Sequence, residues 1–251
     1  MTAYKALTIG LILALAITLN SCKSTNKKQA DPVYDEFVTN PNATGDWLEV
    51  KLTAGPAYNH PVIAIWLEDT NRQFIQTLYV SQTIAKGVFE RGKVEQGQWM
   101  PGEIQRPSAI PVWSHQHIDE KNEFGNFLPT PEDPVVDALT GPTPLRSFIL
   151  KAKTNQPITS ATVLMLEINQ AFDFNEHWVN AKYPDKNEYM KSGQPSIVYR
   201  ALINPNQERK EFELKPYGHG HYAGENGEVN NDLSTLTTAK KIIGSAMVRI
   251  E

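Results

Sequence analysis

Residues 60–82, HPVIAIWLEDTNRQFIQTLYVSQ, contain two strongly apolar runs separated by a short polar break. The first, Val62-Ile63-Ala64-Ile65-Trp66-Leu67, is β-branched and aromatic, and it is too short for a helix. Such a run suits a strand buried on both faces or in a sandwich core. In the second, Phe74, Gln76, Leu78 and Val80 alternate with Ile75, Thr77 and Tyr79, the period-two pattern of a pleated strand with one set on each face. Between them lies Glu68-Asp69-Thr70-Asn71-Arg72. Asp and Asn bond their own backbone two residues on and tolerate left-handed dihedrals, so this break predicts the loop of a β-hairpin.

The same pattern recurs outward from the hairpin. Trp47–Thr53 alternates and ends at Ala54-Gly55-Pro56, and strand-like runs return at Ser147–Ala152 and Thr162–Asn169. Ser196–Ile203 is stopped by Asn204-Pro205-Asn206, and Met247–Ile250 closes the chain. In Glu211–His221 the glycines mark a bulge or a close backbone approach. Leu233–Ile242 reads as a short helix capped by Asp232 or Ser234. Gly87 to about Pro144 lacks periodicity but carries Phe89, Trp99, Trp113, Phe124 and Phe127, which predict an ordered excursion packed on the strands. Seven or eight short strands with one helix predict an all-β fold: an antiparallel immunoglobulin-like β-sandwich with long irregular insertions and one short C-terminal helix.

The N-terminus indicates where this fold is placed. Lys5 followed by the fourteen-residue, largely apolar stretch Ala6 to Leu19 reads as a secretory signal, too short to span a bilayer, which takes about 20 residues. Leu19-Asn20-Ser21-Cys22 then resembles a lipobox, with the chain's single cysteine at the position that is acylated. Acyl chains contribute about 0.8 kcal/mol per buried methylene, so Cys22 is expected to hold the protein on a membrane. The expected divisions are a lipoprotein signal peptide over 1–21, a flexible polar tether over 22–45 and the sandwich over 46–251. In lipoproteins of double-membrane bacteria, Lys rather than Asp after the acylated Cys is compatible with outer-membrane delivery, and Lys23 stands there.

Loss of the leader leaves no other Cys, which excludes disulfides, thiol nucleophiles and cysteine-ligated metal centres in the sandwich. It also removes Lys5, leaving 23 basic against 28 acidic side chains and a net charge of −5. Nucleic acid is therefore not an expected partner.

The runs Ile65-Trp66-Leu67-Glu68-Asp69 and Phe74–Val80, with Asp137-Ala138-Leu139-Thr140-Gly141-Pro142-Thr143-Pro144 and Leu164–Asn169, resemble a family of bacterial extracytoplasmic proteins of unknown function. The resemblance covers roughly Trp47 to Glu251. It implies an immunoglobulin-like sandwich akin to the flagellar hook-assembly type, in gene neighbourhoods with PepSY and flavin-transferase proteins. It supplies no catalytic residues.

Three groups of residues suggest chemistry. Val136–Thr143 is similar to the acceptor motif of flavin transferases, Asp-x-x-Ser/Thr-Gly-Ala-Thr, which would make Thr143 the attachment point for covalent flavin mononucleotide. Pro142 departs from the usual Ala, and Thr-Gly-Pro-Thr-Pro is also an ordinary turn. His115-Gln116-His117 and His219-Gly220-His221 are both His-x-His, which in an extended strand presents two imidazoles on one side. Four imidazoles suit a divalent metal, copper(II) or zinc, with Glu176 and His177 as further donors, whereas isolated loop histidines are the commoner outcome. The loop from Phe172 to Tyr189 combines Phe174, Trp178 and Tyr183 with Asp173, Glu176, Asn180, Lys182, Asp185 and Asn187. It suits a sugar or another planar ligand, with Asp173 and Glu176 as a conceivable acid–base pair, although aromatics in long loops more often plug the end of a sandwich.

The expected function is accordingly a membrane-anchored binding or accessory module rather than an enzyme. The alternatives are an electron-transfer accessory carrying a metal or flavin, and a carbohydrate-binding lipoprotein.

Overall fold

In the computed structural model, residues 32–116, 126–136, 139–208 and 210–251 are described. Two sheets dominate. One has the order β1 (Asp35–Thr39), β8 (Phe148–Lys153), β2 (Trp47–Ala54), β13 (Ile243–Ile250) and β11 (Glu211–Glu213). The other runs β12 (Lys215–His219), β10 (Ile197–Ile203), β9 (Thr162–Asn169), β3 (Val62–Glu68), β4 (Phe74–Ser81) and β7 (Thr140–Gly141). β5 (Val88–Glu95) and β6 (Gln98–Glu103) pair as a separate hairpin. The all-β sandwich is thus as expected, with more strands and with two parallel pairings, β1 with β8 and β4 with β7. Both parallel pairings add an outer strand to a sheet edge, where no local alternation dictates direction.

The hairpin at the centre forms as read. β3 and β4 pair antiparallel, and Asp69 Oδ1 accepts the amides of Asn71 and Gln73, each at 2.8 Å. The face assignment of β4 does not survive. Register shifts between Ile65 and Trp66 and between Leu67 and Glu68 give β4 two extra residues, and each resets the parity of the strand. Leu78 and Tyr79 therefore both enter the inter-sheet core, while Val80 and Phe74 lie on the opposite face.

The core between the sheets is built from alternate residues: Leu48, Val50 and Leu52 of β2, Ile63, Ile65 and Leu67 of β3, and Leu164, Leu166 and Ile168 of β9. Burying each such side chain contributes roughly 1.5–3 kcal/mol. The second sheet is covered on its other face as well. Ala64, Trp66, Met165 and Val198 pack there against Ile84 and Ala85 of α1 (Gln82–Ala85), Val112 and Trp113 of α2 (Pro111–Gln116), and Phe127 and Val135. This is the expected excursion, and it explains why β3 is apolar without alternation. Phe124 lies outside the described residues, and Trp99 is 64% exposed on the projecting hairpin rather than packed.

Two boundaries differ from expectation. Residues 35–39, read as tether, form β1, because Phe37 packs against Tyr79 and Phe148 with ring centroids 6.3 and 5.8 Å apart. The helix expected over 233–242 reduces to one 3-10 turn at Ala239–Lys241. Asp232 Oδ1 accepts the Ser234 amide at 2.9 Å as a turn, and Leu236, Ala239 and Ile242 are drawn individually into the core.

Candidate functional site

β12 ends beside the start of β10, where His219 pairs with Ile197, and the chain leaving β12 meets the loop 172–186. β12 approaches that junction closely: a Cβ on Gly218 would lie 2.4 Å from Val229 Cγ1, and one on Gly220 would lie 2.6 Å from both Pro111 Cγ and Ser196 Oγ. Only glycine fits, which accounts for the Gly-His-Gly spacing. A bulge opposite Gly218, between Val198 and Tyr199, completes the irregularity expected from those glycines.

Beyond the strand end lies a cleft of about 590 Å3. Its wall is aromatic and its rim polar: Trp178, Tyr183, Tyr222 and the three histidines His177, His219 and His221 face Asn226, Glu228, Asn230 and Asp232. The loop is tied down by Asn175, whose Oδ1 accepts the amides of His177 and Trp178 at 2.9 and 2.7 Å and whose Nδ2 donates to Thr235 O at 2.9 Å. Trp178 Nε1 also donates to Thr235 Oγ1 at 3.2 Å. Trp178 and Tyr189 are the plugs expected of a long loop, both joining the sandwich core. Tyr183 and Tyr222 stack on one another at 4.1 Å, with His221 stacked on Tyr222 at 4.5 Å. Lys182 Nζ lies 4.3 Å from the Trp178 ring, and burial holds its ammonium below the usual range. Burial, with Tyr183 adding to it, pushes the Tyr189 phenol up to about 12.

The histidines differ in what their rings offer. His219 is 8% exposed, and its Nδ1 lies 2.8 Å from Gly220 O. A carbonyl only accepts, so Nδ1 carries the proton and Nε2 keeps its lone pair. His221 has the reverse arrangement: its Nδ1 accepts the amides of Ala223 and Glu225, each at 3.3 Å, so its proton sits on Nε2. Burial, against the pull of the Glu225 carboxylate, keeps His221 below the usual imidazole range and neutral. His219 ends β12, while His221 begins a turn closed by Gly224 N to His221 O at 3.0 Å.

His115 stands in the last turn of α2 with Nδ1 donating to Pro111 O at 2.8 Å, and it packs behind the 221–228 turn, its Cβ 2.4 Å from where a Cβ on Gly227 would lie. It is near enough for its charge to add to the lowering of His221. His117 lies outside the described residues, as do Cys22 and Asp137. Among the described residues no three His, Asp or Glu side chains are grouped as a metal ion requires.

The remaining sequence candidates sit elsewhere. Thr143 is half-buried with its Oγ1 3.1 Å from Thr83 Oγ1, just past β7. There Gly141 lies flat on Tyr79, whose hydroxyl donates to Pro142 O at 2.8 Å. Asp173 is held by Thr238, and Gln194 Nε2 donates to the same Thr238 hydroxyl at 2.5 Å, so this carboxylate fastens the loop to the 235–238 segment. Burial raises the Asp173 carboxyl while its bonds to Thr238 and Gln194 oppose the shift, and neither Asp173 nor Glu176 lines the cleft.

One residue of consequence was missed in the sequence. Glu167 of β9 is fully buried and accepts Val112 N at 3.2 Å, Trp113 N at 2.8 Å and Ser196 Oγ at 2.5 Å. Burial lifts its carboxyl to about 7 against the pull of those bonds. The signal was a carboxylate inside an apolar strand run, Leu166-Glu167-Ile168, which has to be paired.

No family model, curated protein or solved structure matches this chain.

Proposed function

We propose that the protein is a lipid-anchored extracytoplasmic binding or accessory module of a double-membrane bacterium, tethered to the outer membrane through acylated Cys22, that holds a polar ligand in the cleft between loop 172–186 and segment 219–235. The lipobox-like Leu19–Cys22 supports the anchor. The observation that carries the ligand site is His219: nine-tenths buried, fixed in one tautomer by Gly220 O, and with no protein partner for Nε2 among the described residues. An imidazole oriented this way, with Nε2 open to a cleft of ligand size, supports a recognition role.

The anchor is tested by metabolic labelling: the wild type is expected to incorporate labelled palmitate and Cys22→Ala is expected not to, and an unlabelled wild type rejects it. The ligand site is tested by native mass spectrometry of the protein from its host. A small molecule that accompanies the wild type and is lost from Tyr183→Ala and Asp232→Ala supports the cleft, and an identical mass in all three rejects it.

A further inference from the structure

We infer that the cleft recognises a neutral saccharide, read through its hydroxyl groups by the rim Asn226, Glu228, Asn230 and Asp232 together with His219 and the phenols of Tyr183 and Tyr222. The inference rests on the cleft being the ligand site.

Spare hydrogen-bonding capacity is concentrated here. Asn226 Oδ1 accepts Glu228 N at 3.0 Å, and Asn230 Oδ1 accepts Asp232 N at 2.9 Å, so each amide oxygen helps to hold the rim. Their NH2 groups, the Glu228 carboxylate and the hydroxyls of Tyr183 and Tyr222 have no protein partner among the described residues. Along the rim, donor and acceptor therefore alternate at every second residue: amide, carboxylate, amide, carboxylate. A sugar hydroxyl both donates and accepts, so neighbouring hydroxyls match such a row, whereas an apolar ligand would bury these groups unpaired at about 1–3 kcal/mol each.

Charge narrows the class further. Among the described residues no Lys or Arg lines the cleft; Lys182 sits over the Trp178 and Tyr183 rings, 4.3 and 5.6 Å from their centroids, and Lys186 is engaged by Glu225. Glu228 and Asp232 leave the rim negative, which disfavours uronic acids, sugar phosphates and nucleotides. An open cage for an organic cation is disfavoured for a different reason. Tyr222 has rings stacked against it from Tyr183 and His221, and the Trp178 face is covered by Lys182, so the wall offers edges and hydroxyls more than free π-faces. The volume, about 590 Å3, lies in the range of small-ligand sites.

The test uses the mature chain on a glycan array and by titration calorimetry with neutral mono- and disaccharides, uronic acids and sugar phosphates. Binding of a neutral saccharide, weakened at least tenfold by Asn230→Asp and by Asp232→Asn, which keep the Oδ1 acceptors that hold the rim, is expected with an unchanged melting midpoint. Preference for the anionic sugars, neutral binding that survives both substitutions, or silence on the whole panel overturns the inference. Should the panel be silent while a co-purifying small molecule is still lost from Asp232→Ala, the saccharide class falls and the cleft reading stands.

Discussion

Two polar clusters lie back to back across Gly220, and they use their hydrogen bonds in opposite ways. Behind it, both oxygens of Glu167 are occupied by Val112, Trp113 and Ser196, and the residue is completely buried. In front of it, His219, Tyr183, Tyr222 and the rim from Asn226 to Asp232 retain donors and acceptors with no protein partner. A satisfied cluster contributes architecture, since it joins α2 to β9 and β10. An unsatisfied one beside a cleft is available for a ligand. Substitution behind Gly220 should therefore cost stability, and substitution in front should cost binding.

The largest effect expected is from Glu167→Ala. It leaves two buried amides and a hydroxyl without an acceptor, and should lower the unfolding free energy by about 3–5 kcal/mol in urea denaturation. A loss below about 1 kcal/mol would mean that the cluster is as dispensable as the cleft.

The second prediction concerns pH. The folded carboxyl of Glu167 is raised to about 7 from an unfolded value of 4.5, so the native state binds this proton more tightly. Its contribution is greatest below 4.5, declines as pH rises between 4.5 and 7, and is constant above. Over that window the wild type should lose about 3 kcal/mol relative to Glu167→Gln, which has no proton to release. Parallel stability curves for the two proteins would contradict it.

Gly220→Ala tests the partition itself. The new methyl would lie 2.6 Å from Pro111 Cγ and Ser196 Oγ and 3.1 Å from Glu167 Oε1. Overpacking of this kind should cost about 1–3 kcal/mol in thermal unfolding and disturb the cleft wall at the same time. The smallest effect belongs to Tyr183→Phe, which keeps the stacked ring and removes only a hydroxyl without a protein partner. Stability should change by less than about 0.5 kcal/mol, while affinity for the bound ligand falls. A large stability loss would return Tyr183 to the architectural group.

The strands were readable where local pattern and tertiary burial agree. Val62–Leu67 and Thr162–Asn169 are apolar because the sheet they share is covered on both faces, and the Asp69 turn closes through bonds within five residues. The face assignment of Phe74–Val80 failed because a bulge depends on the partner strand, which shifts parity without any mark in the strand itself. β1 went unrecognised for a related reason. Asp35–Thr39 is short, and its one aromatic side chain, Phe37, gains its place from Tyr79 and Phe148, far along the chain. The helix expected over 233–242 was an error of periodicity: Leu236, Ala239 and Ile242 are spaced as on a helix face, but the core accepts them one at a time from turns.

The site was visible only as fragments. His219-Gly220-His221 and the loop from Phe172 to Tyr189 were each singled out, as separate metal and sugar candidates. Their meeting in one cleft depends on Asn175 and Asp173 fastening the loop to residues 235–238, some 60 positions downstream. The opposed tautomers of His219 and His221 depend on which backbone groups each ring meets, and no spacing in the sequence encodes them.

Residue order alone determined the strand-rich character of the chain, the turn at Asp69, the need for glycine around His219, and the presence of a single cysteine at a lipobox-like position. These follow from side-chain volume, period and backbone freedom, which are local properties. Folding in three dimensions decided which carboxylates and imidazoles lost their water, and which of them found partners in exchange. That division, between Glu167 enclosed and His219 still open to a cleft, arises because hydrogen-bond satisfaction is a property of neighbours in space.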